Sequence, residues 1–128
     1  MPAYLLDSNI VIDALNNKRG RRELLQGLLL DNNLLGYCPI NLTEIYAGLR
    51  EPEEETAEKL LNGLNFYALT WDIAKKAGIL KNQWMKKGKT LSVPDVTIAA
   101  VAIANDLILI TDNLKDYPMP ELKIYDNI

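Results

Sequence analysis

Histidine is missing from the 128-residue chain, and cysteine occurs once, as Cys38. The first absence removes the imidazole base of Ser-His and Cys-His nucleophile pairs, and with it the Cys/His zinc sites. A single thiol excludes an intrachain disulfide. Cys38 follows an apolar stretch and reads as a small core residue. No apolar run approaches the roughly 20 residues that span a bilayer. The N-terminus has no basic segment leading into a hydrophobic signal core. The expectation is a cytoplasmic protein without membrane association. An overall positive charge is missing too: the formal net charge is −3, whereas nucleic-acid-binding domains are usually basic. Any hydrolytic chemistry must therefore rest on carboxylates, lysines, hydroxyls or a bound cation.

What is present fits one domain, residues 1–128, with an ordinary hydrophobic content of 48%. Short apolar runs alternate with amphipathic segments. Residues 3–6 read as a strand and 9–16 as a helix. A helix over Arg21–Leu30 sets Leu24, Leu25 and Leu28 on one face. "LGYCPI" at 35–40 reads as a buried strand, and Leu42, Ile45, Tyr46 and Leu49 recur at helical spacing over 42–50. Pro52 and the acids after it open another helix, with Ala57, Leu60, Leu61 and Leu64 inward. "FYALT" at 66–70 reads as a strand, with Thr70 as N-cap of a helix striped by Ile73, Ala77, Leu80 and Trp84. The lysines of that helix, from Lys75 to Lys89, read as its solvated side. "VTIAAVAIA" at 96–104 is apolar nearly all round and reads as a buried helix. "LILIT" at 107–111 and "LKIYD" near the end complete the strands. The class is α/β, with a mostly parallel central sheet flanked by helices.

Open parallel sheets carry their sites beyond the carboxyl ends of the strands. Asp7 directly follows the first strand. Glu44 lies early in the helix after 35–40, and Asp95 begins the buried helix after Pro94. Thr111, Asp112, Asn113 and Asp116 follow the strand 107–110. Taken singly, each acid has a plain structural use. Asp7 can cap a helix. Asn41-x-x-Glu44 and Ser92-x-x-Asp95 both resemble capping boxes, and "TDN" resembles a polar turn. Taken together, each sits where a strand hands over to a helix or loop, so neighbouring strands would bring the carboxylates together. Clustered carboxylates repel unless a cation neutralises them, and hard oxygen ligands suit Mg²⁺ or Mn²⁺.

"LLDSNIVIDAL", "PINLTEIYAGL" and "SVPDVTIAAVAIANDLILITDNLKDY" closely resemble the PIN-domain family, and within it the VapC-like toxins of toxin–antitoxin pairs. The resemblance covers essentially the whole chain and is weakest over 51–88. It implies a Mg²⁺- or Mn²⁺-dependent endoribonuclease, often a homodimer, that cuts structured RNA and is inhibited by a cognate antitoxin. It places the catalytic positions on Asp7, Glu44, Asp95 and Asn113. Asp7 and Asp95 would be the main metal ligands, and Glu44 would position metal or water. Ser8 and Thr111 would support them. Three departures stand out. Ser8 replaces a usual Thr, Tyr117 replaces a usual Phe, and the fourth acidic position holds Asn113, leaving Asp112 or Asp116 as substitutes. The apolar residues of 24–30 and 60–64 are candidate dimer contacts.

"KRGRR" at 18–22 gathers four cations just past the helix that Asp7 introduces. Lys18, Arg19, Arg21 and Arg22 are expected to contact RNA phosphates. The competing reading is a solvated loop or a patch facing antitoxin or partner subunit. Trp71 and Trp84 have base-stacking chemistry, but the helical stripe favours packing. A haloacid-dehalogenase-like phosphatase also begins with an acid after its first strand, but its second Asp would fall on Asn9. A response-regulator receiver needs a phosphoacceptor Asp after a middle strand, and "YCPINL" has none. The non-enzyme alternative is a catalytically weak PIN domain that binds RNA or protein.

Overall fold

The computed structural model describes residues 2–126. Strand β1 (Ala3–Leu6) leads through Asp7 into helix α1 (Ser8–Leu15), and α2 (Arg21–Leu30) returns to β2 (Leu34–Tyr37). Then come α3 (Pro39–Ala47), a short 3₁₀ turn and α4 (Glu54–Asn62), the two-residue strand β3 (Asn65–Phe66) and α5 (Trp71–Lys86). Helix α6 (Val93–Ala104), β4 (Ile108–Ile110), a 3₁₀ turn over Leu114–Asp116 and β5 (Lys123–Ile124) complete the chain. No helix among the described residues is long and apolar enough to cross a membrane.

The strands form one sheet in the order β3-β2-β1-β4-β5, and all four pairings are parallel. β1 is central: Tyr4 stands beside Leu35 on one side and Ile108 on the other. The chain winds outward from β1 through β2 to β3, then crosses back to place β4 on the other side of β1. That reversal puts a topological switch point at the carboxyl end of β1, where Asp7 lies.

Alternation along the strands builds two cores. Tyr4, Leu6 and Ile110 face a cluster with Ile10, Val11, Leu25 and Leu61 from α1, α2 and α4. Leu5 and Leu109 face the opposite cluster, with Leu80, Ile98 and Val101 from α5 and α6. Seven consecutive residues of α6, Val96–Ala102, are buried, as its nearly all-apolar sequence requires. Cys38 is fully buried, as expected. Trp84 packs against the core while Trp71 is 75% exposed.

Several elements differ from the sequence expectation. The strand expected over 35–40 stops at Tyr37, because Pro39 takes the first turn of α3, where its fixed φ and missing N–H are tolerated. Asn41 is therefore not an N-cap. It sits in the first turn of α3 and reaches back to the Cys38 N–H at 2.8 Å. The strand expected over 66–70 reduces to Asn65–Phe66; the Tyr67 N–H still bonds the Tyr37 carbonyl at 2.9 Å, and Thr70 then caps α5 by accepting from the Ile73 N–H at 3.2 Å. Most of the apolar residues proposed as dimer contacts are inside: Leu25, Leu28 and Leu61 are buried, and Leu24, Leu60 and Leu64 are half-buried. Leu29 and Leu30 are the exposed ones.

Gly36 shows how tightly β2 and β3 are joined. A Cβ there would collide with the Tyr67 ring and lie 3.0 Å from the Asn65 carbonyl oxygen. Gly36→Ala is expected to lower stability by about 1–3 kcal/mol. Urea unfolding reads this, and an unchanged midpoint would contradict the close approach.

Candidate active site

Asp7 belongs to the sheet and to a helix at once. Its N–H donates to the Ile110 carbonyl at 2.9 Å, extending the β1–β4 ladder. Its Oδ1 accepts from the Ser8 N–H at 2.8 Å, which makes it the N-cap of α1. The other oxygen, Oδ2, accepts from the Thr111 hydroxyl at 2.7 Å and from the Tyr117 hydroxyl at 3.4 Å. Capping and site-building are thus two uses of one carboxylate.

Asp95 lies in the first turn of α6, where its N–H donates to Ser92 Oγ at 3.2 Å. Its Oδ1 faces the same phenol, at 3.3 Å from Tyr117 Oη. One phenolic proton is therefore shared between the carboxylates of Asp7 and Asp95. Glu44 is held from β1's side: its Oε1 accepts from the Ser8 hydroxyl at 2.6 Å. Ser8 Oγ in turn accepts from Asn41 Nδ2 at 3.0 Å, and Asn41 is fully buried. A chain of hydrogen bonds thus runs from the start of α3 through Asn41 and Ser8 to Glu44.

Asp7, Ser8, Glu44, Asp95 and Asn113 line one cavity of ≈ 440 Å³, with Asn9 at its edge. The loop after β4 decides which residue closes it. The Asn113 N–H donates to Thr111 Oγ at 3.0 Å, and Asn113 turns into the cavity. Asp112 is drawn the other way, to Arg21 at 2.5 Å and Arg19 at 3.7 Å. Asp116 lies in the following 3₁₀ turn and does not line the cavity. Of the three candidates for the fourth position, the structure brings only Asn113 to the carboxylates.

The PIN domain model matches residues 4–116. The chain belongs to the PIN domain family. It is 29% identical over 120 residues to the ribonuclease VapC19 of Mycobacterium tuberculosis, covering 93% of this chain and 96% of that one. It is 31% identical to the ribonuclease VapC2 of Haemophilus influenzae, with 91% of each covered. Among solved structures it resembles VapBC2 from Rickettsia felis, described as bound to a DNA fragment from its promoter. The TM-score is 0.83 at 26% identity, over 96% of this chain and 97% of that one.

Within this PIN domain the cavity has a marked charge imbalance. Three carboxylates line it, and no lysine or arginine does so among the described residues. Burial pushes the Asp7 carboxyl above its ordinary range; the bonds from Thr111 and Ser8 oppose this, and the charges of Asp95 and Glu44 reinforce it. Tyr117 is driven well above the usual phenol range by burial and by the two carboxylates it faces, so it stays a proton donor. The donor set consists of hard oxygens, which suits Mg²⁺ or Mn²⁺. Among the described residues no three acids are already closed into a ligand cage. An open wall of carboxylates is compatible with Mg²⁺, which keeps several waters and takes one or two carboxylates.

The basic run divides in a way the sequence does not show. Arg22 is bound to the C-terminal carbonyls of α1, with Nε to Ala14 at 3.1 Å and a terminal nitrogen to Leu15 at 3.0 Å. Arg21 is committed to Asp112 and to the Arg19 carbonyl, at 3.1 Å. Two of the four expected phosphate contacts thus have structural partners already. Tyr117 and Asn41 are the site residues that the sequence reading missed. A phenol in place of a phenyl group beside two acids was the available signal for the first. A polar side chain within the apolar stripe of α3 was the signal for the second.

Proposed function

We propose that this PIN domain is a divalent-metal-dependent endoribonuclease and the toxin half of a toxin–antitoxin pair. The observation that carries the reading is the convergence of Asp7, Glu44 and Asp95, from three separate elements, on one cavity that no lysine or arginine among the described residues lines. The VapC ribonucleases support the activity, and the Rickettsia felis complex supports an antitoxin partner. A homodimer completes the reading.

Asp7 and Asp95 would hold Mg²⁺ or Mn²⁺, with Glu44 completing the carboxylate wall. A divalent ion there supplies the charge neutralisation and Lewis acidity that phosphodiester hydrolysis needs at neutral pH. Thr111 and the Ser8 N–H fix the two oxygens of Asp7. Ser8 fixes Glu44, which is placed to accept a proton from the attacking water. Tyr117 keeps Asp7 and Asp95 at a set separation with a donor that does not ionise. Asn113 offers an amide N–H to a phosphate oxygen. Water would attack phosphorus and give a proton to Glu44 as the P–O3′ bond breaks, the 3′ oxygen would take a proton from solvent, and the products would carry a 5′-phosphate and a 3′-hydroxyl.

One observation favours a second reading, a PIN domain that binds RNA or protein without cutting: Asn113 stands where an acid would add a fourth carboxylate. Incubating total RNA with the purified protein separates the two. Cutting that requires Mg²⁺ or Mn²⁺ and stops with chelator is expected, whereas binding without cutting under either ion supports the second reading.

Tyr117→Phe isolates the shared phenolic proton, since Phe fills nearly the same space. Both kcat and Mn²⁺ affinity are expected to fall about 10-fold, as for other groups that orient a metal ligand, with little change in melting temperature. Single-turnover cleavage and an Mn²⁺ titration measure these. Wild-type values in both would remove Tyr117 from the site.

A further inference from the structure

A second cavity adjoins the carboxylate cavity. Asn9 and Asn113 line both, and on the far side stand Lys18, Arg19, Asp13 and Asp112. We propose that this second cavity is a phosphate subsite, which takes the RNA phosphodiester next to the one being cut, on Lys18 and Arg19. The proposal rests on the ribonuclease reading and adds to it where the strand runs beyond the scissile bond.

Three observations support it. First, the cations of 18–22 are sorted by their partners. Arg21 and Arg22 are tied to protein acceptors, whereas Arg19 is 65% exposed and lies 3.7 and 4.0 Å from Asp112 and Asp13, beyond hydrogen-bond length. Of the two acids beside Arg19, Asp112 is already paired with Arg21, which leaves Asp13 as the one acid of this cavity without a cation of its own besides Lys18 and Arg19. Second, Arg21 braces the walls. It bonds the Arg19 carbonyl in one wall and Asp112 in the other, which fixes the width of the opening. Third, the backbone presents Arg19 in a disfavoured conformation. Its φ is +57°, next to Gly20 at +68° and after Asn17 at +55°. Asn and Gly take this region readily, and an arginine does not. Strained residues of this kind collect at ligand sites.

The chemistry follows from the contrast between the two cavities. The carboxylate side repels a polyanion unless a metal ion is present, so it cannot hold RNA by itself. An adjoining pair of cations gives the strand a point of attachment that does not depend on the ion. A guanidinium held loosely by two carboxylates is also easily transferred to a phosphate, which it can bind through two N–H groups.

The test is binding of a fluorescein-labelled ten-uridine RNA in chelator, where no cleavage occurs, across a series of salt concentrations. For single strands the slope of log affinity against log salt changes by about 0.7 per phosphate contact. Lys18→Ala and Arg19→Gly should each flatten the slope by about 0.7, and the double variant by about 1.4. Arg19→Gly also serves as its own folding control, because glycine accepts the left-handed φ without strain. Its melting temperature is expected to equal or exceed that of the wild type. Lys123→Ala, at the other end of the sheet in an ion pair with Asp106, should leave the slope unchanged. A wild-type slope in the double variant overturns the proposal, as does a wild type that does not bind this RNA. Metal-dependent cutting of total RNA is scored separately, so cutting with an unchanged slope removes the subsite alone. A flattened slope without cutting by the wild type removes the hydrolytic reading alone.

Discussion

Asp7→Asn is expected to abolish RNA cleavage and, in chelator at neutral pH, to raise the melting temperature by a few degrees. The two effects have one cause. Asp7 is buried, and its ionisation is further opposed by Asp95 and Glu44. Its folded-state pKa is raised, so the contribution it makes is full below the ordinary value of 3.8 and is lost as pH rises through the raised value. At neutral pH the charged carboxylate therefore opposes folding in the absence of a cation. Asn removes that charge and caps α1 as well as Asp does. The hydroxyls of Thr111 and Tyr117 can turn to accept from its amide. The thermal gap between variant and wild type should close as pH is lowered towards 4. Mn²⁺ should stabilise the wild type and have little effect on the variant, and kcat should fall by at least about 10²–10³-fold, as when a charge-stabilising group is removed from other active sites. A melting temperature below that of the wild type at every pH would show that the Asp7 carboxylate serves the fold rather than a cation.

Asn41→Ala is expected to produce the second large effect. Asn41 touches no carboxylate, yet it is fully buried and bonds both Ser8 Oγ and the Cys38 N–H. Alanine leaves the buried Cys38 N–H without its side-chain acceptor, at a cost of about 1–3 kcal/mol. It also frees Ser8 from its donor, so Glu44 loses its fixed position. Cleavage is expected to fall about 10–100-fold, as when an outer-shell partner of a metal ligand is removed. Ser8→Ala should lower activity through the same chain, and the double variant should lose less than the two single losses combined. Urea unfolding and single-turnover cleavage measure both arms. Additive losses would mean that Asn41 supports only the start of α3.

Periodicity carried the sequence reading where elements are long. Helix α2 is expected over Arg21–Leu30 and occurs there, and the largely apolar 96–104 segment lies in α6, buried over Val96–Ala102. The order of acids along the chain was also legible, because each follows a strand or opens a helix in a parallel sheet. Short elements were less so. β3 and β5 pair over two residues each, too few to show alternation, and Pro39 ended β2 earlier than its apolar neighbours suggested. Side-chain partners were the least accessible. Asp112 and Asn113 are adjacent in sequence, and the Thr111–Asn113 hydrogen bond together with the Arg21–Asp112 pair decides which of them meets the carboxylates. Arg19 and Arg21 differ in role because one guanidinium meets Asp112 at 2.5 Å and the other stays loose. Such choices are made by tertiary geometry, and residue type alone does not encode them.

The nature of the ends left at a cut tests the proposed chemistry at the reacting bond. RNA cleaved by the purified protein in Mn²⁺ would be typed at both ends, beside Asp95→Asn as a control for contaminating nuclease. Water attack at a carboxylate-bound cation predicts 5′-phosphate and 3′-hydroxyl ends, absent in Asp95→Asn and in chelator. Cyclic 2′,3′-phosphate ends that persist in chelator would mean attack by the RNA's own 2′-hydroxyl. The cavity formed by Asp7, Glu44 and Asp95 would then not be a hydrolytic metal site.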